Sequence, residues 1–226
     1  MTTDEYAGDV TPGGPGDVRE LPRLTLRKCS VSPLDNNAYL LTCRGTGAQL
    51  LVDAADDATR LLDLVEEGGG GLDVVVTTHQ HWDHVRALEE VVAETGARTA
   101  AGADDADHLP VPVDDRLAHG DMVRFGDVTL DVVALRGHTP GSVALAYRDP
   151  EDEQGRTHLF TGDSLFPGGL GNTMNPGQSF DSLFRDVTER VFDVYDDDTW
   201  VYPGHGKDTT LGAERPHLDE WRARGW

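Results

Sequence analysis

From Leu24 onward the apolar residues fall in short runs separated by polar, glycine-bearing breaks. Residues 24–31, 37–43 and 49–53 have the length and composition of strands, and a glycine-bearing turn at 44–47 joins the last two. The spacing changes over Ala58–Glu67, where Leu61, Leu62 and Val65 recur on one helical face until the glycines at 68–71 end the pattern. Residues 72–77 then form a nearly unbroken apolar run, the mark of a strand covered on both faces. Helical spacing returns over 85–93. The order β-β-β-α-β-α predicts one half of a layered α/β fold.

The second half repeats the theme loosely. Residues 122–125, 128–135, 143–147 and 158–161 read as strands, with an acidic hairpin near 150–156. Over 179–195, Phe180, Leu183, Phe184, Val187, Val191 and Phe192 keep helical spacing, followed by a strand at 199–202 and a short helix at 213–222. Residues 23–226 are expected to form one domain. Residues 1–22, rich in Gly, Pro, Asp and Thr and without apolar periodicity, read as a flexible leader outside it.

Charge and composition narrow the function classes. A formal net charge of -22 excludes a surface built to face nucleic acid or anionic membrane, both of which need cations opposite phosphate. Among the 19 cations only Lys28 and Lys207 are lysines, a bias that fits either GC-rich coding or salt adaptation. There is no signal peptide and no apolar stretch long enough to span a bilayer, so a soluble cytoplasmic protein is expected. The two cysteines, Cys29 and Cys43, fall on neighbouring strands and read as reduced, half-buried thiols.

The chemistry concentrates after the buried strand, in Thr77-Thr78-His79-Gln80-His81-Trp82-Asp83-His84. α/β proteins place their sites at such strand ends. In an extended turn alternate residues face one way, so His79 and His81 can grip one cation while Asp83 and His84 reach a neighbouring one. His138 lies in a turn reading Gly137-His138-Thr139-Pro140-Gly141-Ser142. Asp163, in Thr161-Gly162-Asp163-Ser164-Leu165-Phe166, and His205, in Pro203-Gly204-His205-Gly206, each follow a strand and are flanked by glycines that permit close backbone approach. Imidazole and carboxylate donors without thiolate suit Zn²⁺, Fe or Mn²⁺. The remaining histidines, His108, His119, His158 and His217, lie outside these motifs and read as solvated or packing residues.

Taken in order, HxHxDH, GHTPGS, TGDSLF and PGHG resemble the metallo-β-lactamase superfamily, and within it the single-domain glyoxalase II-like branch. The resemblance runs from about Leu24 to His205. It implies a four-layer αββα sandwich with the site at one edge. It also implies two divalent ions, Zn²⁺ in the first instance: His79, His81 and His138 hold one, Asp83, His84 and His205 the other, and Asp163 bridges them. Asp53 matches the aspartate that the family places after its third strand, where it orients a ligand imidazole. With Asp83 and Asp163 as the working carboxylates, a metal-bridging hydroxide would attack the carbonyl of a small-molecule thioester, or of a related ester or lactone.

Two features refine that expectation. Metallo-β-lactamases proper resemble this chain less, because they often carry Cys or Ser where Asp163 stands. The loop after Asp163 has Asn172 where related thiolesterases and persulfide dioxygenases often place Arg or Lys, and the sequence ends about 20 residues after His205, without the cationic helical region that holds glutathione in larger relatives. A glutathione carrier is therefore not implied by the motifs. Trp82, Phe166, Asn172 and Met174 are expected to shape the substrate mouth. The alternatives are a mononuclear iron persulfide dioxygenase using His79, His138 and Asp163, and a non-catalytic metal-binding member of the family.

Overall fold

The computed structural model describes residues 6–225. A first sheet takes its strands in chain order: β1 (Asp17–Glu20), β2 (Leu24–Ser30), β3 (Asn37–Cys43), β4 (Gln49–Val52), β5 (Val74–Thr77), β6 (Arg98–Gly102) and β7 (Asp115–Leu117). The hairpin-linked β1 to β4 are antiparallel, and β4 to β7 are parallel. The change of sense falls where α1 (Ala58–Glu67) and then α2 (Leu88–Thr95) carry the chain back, since a parallel neighbour needs a crossover.

The second sheet begins with β8 (Met122–Phe125), β9 (Val128–Ala134), β10 (Val143–Arg148) and β11 (Thr157–Gly162). A small ribbon, β12 (Leu165–Phe166) with β13 (Gly169–Leu170), leads to α3 (Phe180–Val187), which runs on as a π-helical turn to Phe192. β14 (Trp200–Pro203), β15 (Thr209–Thr210), α4 (Leu211–Glu214) and α5 (Leu218–Arg224) complete the described chain. The spatial order is β15-β14-β11-β10-β9-β8, with β14 parallel to β11.

Strand alternation builds the layers. Leu50, Val52, Val74 and Val76 point between the sheets and meet Val132, Leu145, Phe160 and Tyr202. Their neighbours Leu51 and Val75 face outward onto Leu61 and Leu64 of α1 and Leu88 and Val91 of α2. On the far side Val133, Ala144, Leu159 and Val201 pack on Leu183 and Val187 of α3 and Trp221 of α5. The result is the expected αββα sandwich, and it explains why β4 and β5 show no polar face.

Several boundaries move for identifiable reasons. The helix expected over 85–93 begins at Leu88, because Trp82–His84 form a separate 3₁₀ turn that Val85 ends. Pro216 divides the last helical stretch into α4, a short turn and α5.

The expected leader needs correction. β1 pairs with β2 in full register, and the Tyr6 ring packs into the inter-sheet core. The cause is the buried Lys28, whose Nζ donates to the carbonyls of Gly8 and Gly206 and to Asp208 Oδ1, each at 2.7 Å. Tyr6 Oη donates to the other Asp208 oxygen at 2.8 Å. An ammonium can stay buried only with such a partner set, and residues 6–8 supply part of it. Residues 1–5 lie outside the described residues.

Cys29 and Cys43 are both free and buried. They face opposite layers at opposite ends of the β2–β3 pair, where Cys29 stands opposite Ala38 and Cys43 opposite Leu24. Among the described residues no helix is long and apolar enough to cross a membrane.

Candidate metal centre

The motif residues converge at one edge of the sandwich. β5 delivers His79, His81, Asp83 and His84; the β9–β10 turn delivers His138; β11 and β14 deliver Asp163 and His205 from their C-terminal ends. The register between β11 and β14 shifts between Phe160 and Gly162, and this irregularity turns the chain so that Asp163 points at the histidines.

Three ligand groups have donor atoms lying within 4.8 Å of one another: His79, His81 and His138; His79, His84 and Asp163; and Asp83, His84 and His205. Asp163 stands between the outer two. Its Oδ2 lies 3.6 Å from His138 Nε2, 3.9 Å from His79 Nε2 and 3.4 Å from His205 Nε2, while Oδ1 lies 3.3 Å from His84 Nε2. His205 Nε2 is also 3.4 Å from Asp83 Oδ2.

Partners behind the rings aim them. His84 Nδ1 donates to Asp53 Oδ2 at 2.9 Å, His138 Nδ1 to the Asn172 carbonyl at 2.7 Å and His205 Nδ1 to the Leu34 carbonyl at 2.8 Å. Thr78 donates its hydroxyl to Asp53 at 2.8 Å and accepts from His79 Nδ1 at 3.1 Å. With Nδ1 donating outward, each of these four rings aims its Nε2 inward, the atom that binds a cation once it carries no proton. Asp53 thus supports two imidazoles, and it does so from a left-handed backbone with φ of 60° just past β4. That is an uncommon conformation for a residue with a Cβ, held here by 2.7 and 2.8 Å bonds from Thr78.

Electrostatics divide the cluster. Burial, with the neighbouring imidazoles, holds His79 well below its ordinary pKa, and burial likewise lowers His81 and His138. These three are neutral lone-pair donors. For His84 and His205 burial works in the same direction but is outweighed by carboxylates: Asp163 and Asp53 raise His84, and Asp163 and Asp83 raise His205 to about 10. Despite burial, His84 and His205 hold Asp163 well below the usual carboxylate range. In the absence of a cation these two rings carry protons that stand in for positive charge.

The donor set fits a divalent cation on a structural criterion. His79 Nε2 and His138 Nε2 are buried and find no hydrogen-bond partner among the described residues. Orphaned acceptors of this kind are costly unless something positive completes them. Glycine makes the close packing possible: a Cβ on Gly204 would come within 2.8 Å of His84 Cε1 and strike Asp163.

Some positioning residues carry no motif. Asp105, fully buried, accepts from Gln80 N–H at 2.9 Å, Thr139 Oγ1–H at 2.6 Å and Gly141 N–H at 2.7 Å, tying the first histidine loop to the His138 loop. Asn36, also buried, donates from Nδ2 to Asp83 at 3.1 Å. Asp105 sits in an acidic run and Asn36 in a polar turn, so neither stands out from its neighbours in sequence. Of the expected mouth residues, the Phe166 ring centre lies 6.3 Å from that of His205, and Asn172 touches His138 through its main chain. Trp82 is 61% exposed beneath Arg86, and Met174 is 83% exposed.

The chain is similar to known proteins in sequence and in fold. Two hydroxyacylglutathione hydrolases illustrate the sequence relatives. That of Cereibacter sphaeroides is 42% identical over 137 residues, 61% of this chain and 51% of its own length. That of Rhizobium meliloti is 32% identical over 171 residues, 76% of this chain and 62% of its own. The chain therefore spans between half and two thirds of the length of these relatives. Among solved structures, ETHE1 from Myxococcus xanthus superposes with a TM-score of 0.76 at 28% identity, covering 88% of this chain and 84% of that one. TTHA1623, solved in a di-iron-bound form, gives 0.69 at 32% identity, covering 82% and 95%. Residues 31–205, which include all seven clustered side chains, match the profile of the metallo-beta-lactamase superfamily, and the chain belongs to that family.

Proposed function

We propose that the chain is a dinuclear metal-dependent hydrolase that cleaves a small thioester, or a related ester or lactone. One observation carries this reading: seven imidazole and carboxylate side chains converge, with Asp163 between two groups of three. His79, His81 and His138 would hold one ion, Asp83, His84 and His205 the other, and Asp163 both; zinc suits the donors, and iron is the alternative that the di-iron neighbour brings forward. When bound, such a pair supplies an activated water and polarises a carbonyl.

The chain's own residues do the rest. Asp53 and Thr78 fix the tautomers of His84 and His79, and the Asn172 carbonyl fixes that of His138. Asp163 holds the two groups at one spacing. No acid in the cluster is free to protonate a poor leaving group, and a thiolate, with a parent pKa of about 8.5, leaves without one. This favours thioesters over amides and β-lactams. Trp82, Phe166, Asn172 and Met174 would border the approach. The acidic surface fits a small-molecule substrate in the cytoplasm better than nucleic acid or a membrane.

The test pairs elemental analysis with turnover. About two metal ions per chain are expected, with kcat/KM on a simple acyl thioester well above that on nitrocefin. Iron at about one per chain with oxidation of a persulfide, the alternative chemistry that His79, His138 and Asp163 could support, would replace this reading.

A further inference from the structure

β11 and β14 run parallel, and their C-terminal ends carry Asp163 and His205. Their N-terminal ends carry His158 and Trp200, which line a separate cavity of about 690 Å³ against β1. His158 and Asp163 are five residue steps apart, so the cavity lies roughly 17 Å from the metal centre.

The cavity presents hydrogen-bond donors. Arg19 is held between the Tyr6 and Trp200 rings, 4.1 and 3.9 Å from their centres, and gives one N–H to Tyr202 Oη at 2.7 Å. Tyr202 therefore turns its own proton to His158 Nδ1, 2.8 Å away. That leaves the His158 proton on Nε2, where it is buried and without a partner among the described residues. Burial, with Arg19 and Arg156 nearby, pushes the His158 pKa down to about 3, so the ring stays neutral. Arg156 Nε is buried and unpartnered as well.

Neither arginine has a carboxylate within ion-pair distance among the described residues, in a chain with 41 acids and 19 cations. Two carboxylates also line the cavity: Glu20 lies 3.8 Å from Arg44, and Asp152 accepts from the Gln154 N–H at 3.1 Å. The other walls, Tyr6, Val18, Leu21, Pro22 and Trp200, are apolar or aromatic.

We propose that this cavity binds a small organic carboxylate with a flat apolar body, the anion meeting Arg156, Arg19 and His158 and the body lying along Tyr6 and Trp200. Buried donors left without an acceptor select an acceptor-only group. The aromatic walls select a planar partner over an inorganic ion. This site is independent of the hydrolase reading, since it shares no residue with the metal centre.

Calorimetric titration of the metal-loaded protein with benzoate, benzamide and inorganic phosphate tests it. Saturable binding of benzoate at one site per chain is expected, with benzamide and phosphate at least about tenfold weaker. Arg156→Gln, a substitution at a partly exposed hairpin position, should weaken benzoate by about tenfold and leave metal content unchanged. Absence of saturable benzoate binding overturns the proposal. So does equal binding of benzamide, preference for phosphate, or benzoate affinity that survives Arg156→Gln, as binding at the metal centre would.

Discussion

Asp163 stands between the imidazoles of the centre, with four histidines within 3.9 Å of its carboxylate. Asp163→Asn keeps the shape and removes the charge that would balance two cations. One metal should then bind much more weakly, and turnover should fall by two to four orders of magnitude, about 3–5 kcal/mol of barrier. Metal stoichiometry and rate measured on the same preparation check this, and two tightly held ions with near-normal turnover would refute the bridging role. His158 gives a second residue-scale expectation. Its pKa is about 3 in the fold and about 6.5 when unfolded. Above pH 6.5 the two states agree. Between these values the unfolded chain takes up a proton that the native chain refuses, so stability falls as pH drops, by up to about 1.4 kcal/mol per unit. His158→Gln should flatten that acid limb between pH 6 and 4 in urea unfolding. An unchanged slope would mean that the ring is not held neutral.

The elements that carry the clustered side chains are short, and their loops are bound to one another. Asp105 is the chief tie, since it fastens the loop after β5 to the loop after β9 through three bonds of 2.6–2.9 Å. Asp105→Ala strands three buried donors and should cost about 3 kcal/mol, read as a lower urea midpoint, with Asp105→Asn recovering part of the loss. A midpoint within error of the parent would show that water replaces the carboxylate. The sequence announces the ligands and hides this tie, for a physical reason. Ligand types are rare and fall at strand ends, whereas one aspartate among Asp104, Asp105 and Asp107 is distinguished only by being folded inward. The strands of the sandwich were legible where both faces are apolar, as in β3, β4 and β5. β1, β6 and β7 were not, because in Asp17–Glu20 the half-buried positions are the charged Asp17 and Arg19 while the apolar Val18 is exposed, and Arg98–Gly102 is small and alanine-rich.

At the scale of the molecule, the N-terminal segment is part of the sandwich. Removing residues 1–22 would delete β1, take the Gly8 carbonyl from Lys28 and take the Tyr6 hydroxyl from Asp208. A loss of about 3 kcal/mol or more is expected, because a buried ion pair tolerates few missing partners. Unfolding of the full and shortened chains under one condition decides it, and equal midpoints would return the segment to the status of a leader. The two sheets also divide the chain cleanly: residues 17–117 supply every strand of the first and residues 122–210 every strand of the second. The ligands divide the same way, yet each of the three donor groups draws on both halves. Neither half owns a binding site. A cation held there is a rivet between the halves, so its affinity contains the free energy of keeping them together. Any change that loosens the seam, however far from the histidines, must therefore appear as weaker metal, and chelation must appear as a looser seam.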